Sequence, residues 1–146
     1  MLTTIYDAQN TLYGLLKAVP SLSGVRVSLG YPGALTKEEI WIGGEAEDWS
    51  FDYRTSALSS RDEEYTLRIN CYVSKTGKSY EPARNRVREL SDIVEQVIAS
   101  NQTLGGLAML VTVPTATLDE GISSDGRTRM VLETLAVRVR AHVNAG

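Results

Sequence analysis

The most constraining feature of this chain is the alternation that closes it, TRMVLETLAVRVRAHVNA at 128–145. Val131, Leu135, Val137, Val139, Ala141 and Val143 share one side of a two-residue repeat, whereas a helix would scatter them around its circumference. The run is a long strand with one buried face, and the chain must supply a sheet to receive it. YTLRINCYV is the natural centre: Tyr65, Leu67, Ile69, Cys71 and Val73 lie on one face, with Thr66, Arg68, Asn70 and Tyr72 on the other. LAMLVTVPTATLDE carries apolar residues on both faces up to Pro114, whose missing N–H requires a sheet edge or a bulge there. With the polar turn DEGISSDGR between them, 107–120 and 128–145 read as a long hairpin whose tip, Asp119 to Gly126, projects beyond the body of the domain.

GVRVSLG alternates as a short strand, and EEIWIGG and DWSFDYR are strand-like, with Gly43 to Glu47 as a hairpin connection between the last two. A polar loop, TSALSSRDE, then leads to the central strand. In TTIYDAQNTLYGLLKAVP, Ile5, Ala8, Leu12, Leu15, Leu16 and Val19 have helical spacing, with Thr4 and Asp7 as an N-terminal cap and Pro20 beyond the end. In SYEPARNRVRELSDIVEQVIASN the stripe is Ala83, Val87, Leu90, Val94, Val97 and Ile98, with Ser79 as cap and Pro82 in the first turn. The order of helix, three short strands, central strand, long helix and long hairpin defines an α+β fold. It is a mainly antiparallel sheet with two helices packed on it, and 146 residues fit one domain, 1–146.

Composition removes several functions. A single cysteine, Cys71, excludes an intrachain disulfide and a thiolate metal cluster. It reads as a small buried hydrophobe. The one histidine, His142, has no second histidine beside it, so zinc sites and hydrolase triads lack raw material. No stretch approaches the about 18 apolar residues of a membrane span, and MLTTIYDAQN has no secretory pattern, which points to a cytoplasm. KTGKS lacks the upstream glycine of a phosphate loop and reads as a plain turn. The net charge of −3 gives no reason to expect nucleic-acid binding.

The charge is unevenly spread. Nine of the 18 acids, Glu38, Glu39, Glu45, Glu47, Asp48, Asp52, Asp62, Glu63 and Glu64, lie in 38–64, where the only basic residues are Arg54 and Arg61. Glu45, Glu47, Asp48 and Asp52 are the candidates for paired-carboxylate catalysis or for Ca²⁺ or Mg²⁺. They lack the spacing of a recognised calcium loop. Trp41, Trp49, Phe51 and Tyr53 among acids would repel phosphate, so these aromatics read as core or subunit-interface anchors. Arg84, Arg86 and Arg88 crowd the start of the second helix, where the dipole disfavours cations by a few tenths of a kcal/mol each. Partial pairing with Glu81 and Asp92 would offset that. The sharper reading sets the arginines against the acids of a neighbouring copy.

In length and in the order and character of its segments, with YTLRINCYVS leading to YEPARNRVRELSDIVEQVIASN and RMVLETLAVRVRAHV closing the chain, the sequence resembles the tail terminator (tail completion) proteins of long-tailed, non-contractile bacteriophages. That resemblance covers nearly the whole chain. It implies a non-enzymatic virion protein at the head-tail junction, present in the host cytoplasm during assembly, without a cofactor or metal. It also implies a six-membered ring that caps the tail tube, stops its polymerisation and meets the head connector, while DNA passes through without specific binding. The expected subunit interface joins Glu45, Glu47, Asp48, Trp49 and Asp52 to Arg84, Arg86 and Arg88. The hairpin tip, with Asp119, Glu120, Asp125 and Arg127, is the expected tube or connector contact. Other head-tail joining components, or a small acid-dependent hydrolase or divalent-cation binder, are the alternatives.

Overall fold

The computed structural model describes residues 2–53 and 60–144. Its elements are α1 (Ile5–Lys17), β1 (Arg26–Leu29), β2 (Glu38–Ile42), β3 (Glu47–Tyr53), β4 (Ser60–Thr76), α2 (Glu81–Ser100), β5 (Leu110–Ile122) and β6 (Thr128–Asn144). Short 3₁₀ turns follow α1 and α2 at Pro20–Leu22 and Leu104–Gly106. The strand order is β1-β2-β4-β6-β5, with β3 also paired to β4. Every pairing is antiparallel except β1 with β2.

The two long alternations make the centre. β4 and β6 pair in unbroken register from Ser60↔Asn144 to Thr76↔Thr128, so their apolar positions stack on one face. Tyr65, Leu67, Ile69, Cys71 and Val73 of β4, and Val131, Leu135, Val137, Val139 and Ala141 of β6, are all buried there. Both helices cover that face. α1 contributes Ile5, Ala8, Leu12 and Leu16, and α2 contributes Ala83, Val87, Leu90, Val94 and Ile98, to one continuous core. Fully burying an aliphatic side chain stabilises by about 1.5–3 kcal/mol. This stripe therefore outweighs the few tenths that each arginine costs at the start of α2.

Pro114 is accommodated in both expected ways at once. β5 is an edge strand, and the β5–β6 ladder shifts register between Thr112 and Thr115. The KTGKS stretch is the turn from β4 into α2, with Gly77 at φ 137 donating its N–H to Arg127 O.

Several local expectations are corrected. Gly43 to Glu47 is not a hairpin connection: β2 and β3 do not pair with each other but follow one another along the same edge of β4, β2 at Ile69–Val73 and β3 at Arg61–Thr66. The expected polar loop is shorter at its far end, because Ser60 to Glu64 already belong to β4; residues 54–59 lie outside the described residues. At α2 the N-cap is Tyr80, and Ser79 instead accepts the Glu81 N–H with its hydroxyl. Thr4 is the N-cap of α1, but its hydroxyl turns away from the helix to Glu63. The hairpin tip is only the turn 123–127, since Asp119 and Glu120 are ladder residues and β4 runs beside β6 up to Thr128.

Candidate subunit-contact site

The face of the sheet away from the helices carries the polar half of each alternation. The β4–β6 register sets Asp62 opposite His142, Glu64 opposite Arg140 and Thr66 opposite Arg138. Arg138 Nη2 donates to Glu64 Oε2 at 2.8 Å, and Arg140 lies 3.6 Å from both Glu64 and Asp62. Arg68 forks onto Glu47 with two bonds of 2.8 Å, which hold the Glu47 carboxyl below its usual range. Much of the acidic segment is thus neutralised within its own chain.

Glu63 points to the other face and is fully buried. It accepts from Thr3 Oγ1, the Thr4 N–H at 2.6 Å, Thr4 Oγ1 at 2.7 Å and Trp49 Nε1 at 3.0 Å. Because the Thr4 hydroxyl proton is spent on Glu63, the Tyr65 hydroxyl 2.9 Å away is the donor to Thr4. Burial pushes the Tyr65 phenol up to about 12. Glu63 therefore fastens the start of α1 and strand β3 to the end of the sheet.

Two of the three α2 arginines, Arg84 and Arg86, also find partners at home. Arg86 forks onto Glu38, which Lys75 approaches at 3.8 Å, and also reaches Glu89. The Arg86 contact, opposed by burial, lowers the Glu38 carboxyl. Arg84 forks onto Glu120 at 2.7 and 2.8 Å, joining a residue expected at the subunit interface to one expected at the tip. Neither Glu81 nor Asp92 supplies these pairs. Among the described residues Glu45, Asp48, Asp52 and Arg88 have no ion-pair partner, and all four are exposed, as is Trp49, which packs against Phe51. At the tip, Asp125 accepts from Ser123 Oγ at 2.6 Å and from the Arg127 N–H at 3.0 Å, which lowers its carboxyl.

Between α2 and β5 lies a groove of 410 Å³, bounded by Arg84, Arg88, Asp92, Glu95, Leu118 and Glu133 among others. Burial raises the Glu133 carboxyl above its usual range, and Glu95 and Asp92 add to the shift. Among the described residues no cluster of three or more histidines, cysteines or acids is arranged to hold a metal ion.

One constellation escapes a reading by composition. His142 Nδ1 lies 3.1 Å from Asp62 Oδ1, and its Nε2 lies 3.2 Å from Ser60 Oγ. This is the hydrogen-bond order of a serine-hydrolase triad, assembled by strand register. Ser60 nevertheless sits on a regular ladder, not on the sharp turn that lifts a hydrolase nucleophile clear of its backbone, and Asp62 is shared with Arg140.

No protein family and no curated protein matches the sequence. The fold is similar to that of a chain in the virion of a native gene transfer agent particle, with a TM-score of 0.55 and 15% sequence identity over 92% of this chain and 93% of that one. The two chains share the α+β architecture along nearly their whole length.

Proposed function

We propose that this protein is a structural virion component, a tail terminator whose six copies close a ring on the end of a tail tube and meet the head connector. The observation that carries the reading is the fold shared, nearly end to end, with a chain of a virion particle. The segment order that resembles the tail terminators supports the same role. In this reading the protein is not an enzyme, needs no cofactor, and lets DNA pass without specific binding. Glu45, Asp48, Trp49 and Asp52 on the β3 flank, and Arg88 on the α2 flank, are the groups with charge or apolar surface to offer a neighbour. Glu47, Arg84 and Arg86 would join them only by exchanging intrachain partners. The tip around Asp125 and Arg127, with Asp119 and Glu120 behind it, faces tube or connector.

Mass photometry and negative-stain microscopy of the purified chain, alone and with tail tubes, test this. Six-membered rings, weakened by salt, and tubes that stop growing when the protein is added are the expected result. A chain that stays monomeric and leaves tube growth unchanged would sink the reading. The Ser60–His142–Asp62 order favours one competing reading, a serine hydrolase; covalent labelling of Ser60 by a fluorophosphonate, lost in His142→Ala, would establish it instead.

A further inference from the structure

We infer that neighbouring copies join edge to edge, the free side of β5 in one copy pairing antiparallel with the free side of β1 in the next. The inference rests on the ring reading and specifies its subunit contact. β1 and β5 are the two ends of the strand order, so each leaves one row of backbone N–H and C=O groups without a strand neighbour among the described residues. They are opposite edges of one protomer, as a head-to-tail interface requires.

Strand directions fit. β5 runs against β6, β6 against β4 and β4 against β2, while β1 runs with β2. β5 and β1 are therefore antiparallel, and two copies standing side by side in the same orientation present an antiparallel pair. The simplest register has no stagger between copies, the strands standing along the ring axis, so that each row of the sheet meets its own height in the next copy. Following the rows across the sheet, Arg26 leads through Glu39, Tyr72 and Leu132 to Asp119, and Leu29 leads through Ile42, Ile69 and Leu135 to Ala116. The junction thus sets Arg26 opposite Asp119, Val27 opposite Leu118, Ser28 opposite Thr117 and Leu29 opposite Ala116.

Those four pairs match in chemistry. Val27, Leu29, Ala116 and Leu118 all lie on the helix side of the sheet, and Leu29 and Leu118 are 49% and 56% exposed in the single chain. Arg26 and Asp119 lie on the other side with opposite charge; Arg26 already pairs with Glu39 of its own chain and bonds Ala34 O, so it meets Asp119 by sharing its guanidinium between the two carboxylates. The remaining open edge, that of β3, fits poorly. It lies level with Leu110–Thr112, where β5 is about to break at its bulge and Pro114.

Cysteines at the closest polar row test the pairing. Ser28→Cys with Thr117→Cys in one chain, oxidised and run without reductant, is expected to give a ladder of linked subunits ending at the ring; Cys71 is buried and does not interfere. Either single variant is expected to stay unlinked. Dimers from Thr117→Cys alone would mean β5 meets β5 and would overturn the proposal. So would an intact ring, seen by mass photometry, in which the double variant does not link. A wild-type chain that forms no ring even on tail tubes overturns the ring reading and this pairing together. Asp119→Lys should weaken assembly by about tenfold while leaving the circular dichroism unchanged, because it sets two cations opposite each other.

Discussion

The Trp49 indole N–H donates to Glu63 Oε2 at 3.0 Å, tying strand β3 to a carboxylate that also holds the first residues of α1. Every contact to Glu63 among the described residues uses it as an acceptor, so glutamine cannot replace it: the amide NH₂ would face donors. Glu63→Gln is expected to cost about 2–4 kcal/mol and Trp49→Phe only about 1 kcal/mol. Urea unfolding of both variants checks this. Equal costs would show that the indole, not the carboxylate, is the anchor.

The Arg86–Glu38 fork ties the start of α2 to β2, and its stability is pH-dependent. The Glu38 carboxyl is lowered in the folded protein, so its contribution is present above its unfolded value of 4.5 and is lost as pH falls through the lower folded value. Arg86→Ala should cost about 1 kcal/mol at neutral pH. The difference from wild type should shrink as the pH falls below 4.5 and the carboxylate is protonated. A cost that stays constant across that range would assign it to lost packing of the arginine stem.

The long elements were legible because both burial and period act locally: Tyr65 to Val73 and Val131 to Val143 announce their buried face by alternation alone. What was hidden depends on register. That Arg138 and Arg140 neutralise Glu64, and that His142 sits between Asp62 and Ser60, follows only once Ser60 is known to stand opposite Asn144. The same alternation carried the signal, since acids at 62 and 64 and basic residues at 138, 140 and 142 share the outer face. The strand β3 itself is legible as DWSFDYR, but its partner is hidden for a similar reason. Gly43 and Gly44 suit a hairpin, but pairing with β4 lets Trp49 reach Glu63, which a β2–β3 hairpin does not predict.

Arg84 and Glu120 pair across the mouth of the α2–β5 groove with the arginine 54% exposed. An exposed fork is worth under about 1 kcal/mol. Arg84→Ala should therefore leave the thermal stability nearly unchanged. If the residue serves assembly, the same variant changes the ring population in mass photometry while the melting curve does not move. A large stability loss would make Arg84 a structural residue of the single chain.

Glu133 gives the opposite pH signature to Glu38. It stands on the helix side of β6 at the groove, where burial and the nearby Glu95 and Asp92 raise its carboxyl and Arg88 and Ser91 only partly oppose them. A raised folded value means that its contribution is present below the unfolded value and is lost as pH rises through the folded one. At neutral pH the ionised group is thus a liability of the native state, tolerable because the groove admits solvent. Glu133→Gln keeps the shape and the hydrogen-bonding capacity while removing the charge. It is expected to raise the melting temperature at about pH 7 by roughly 1–2 °C, and to do nothing at about pH 4, where wild type is already protonated. An increase of the same size at both values would trace the effect to packing, and a decrease at neutral pH would show that Arg88, not burial, controls this carboxylate.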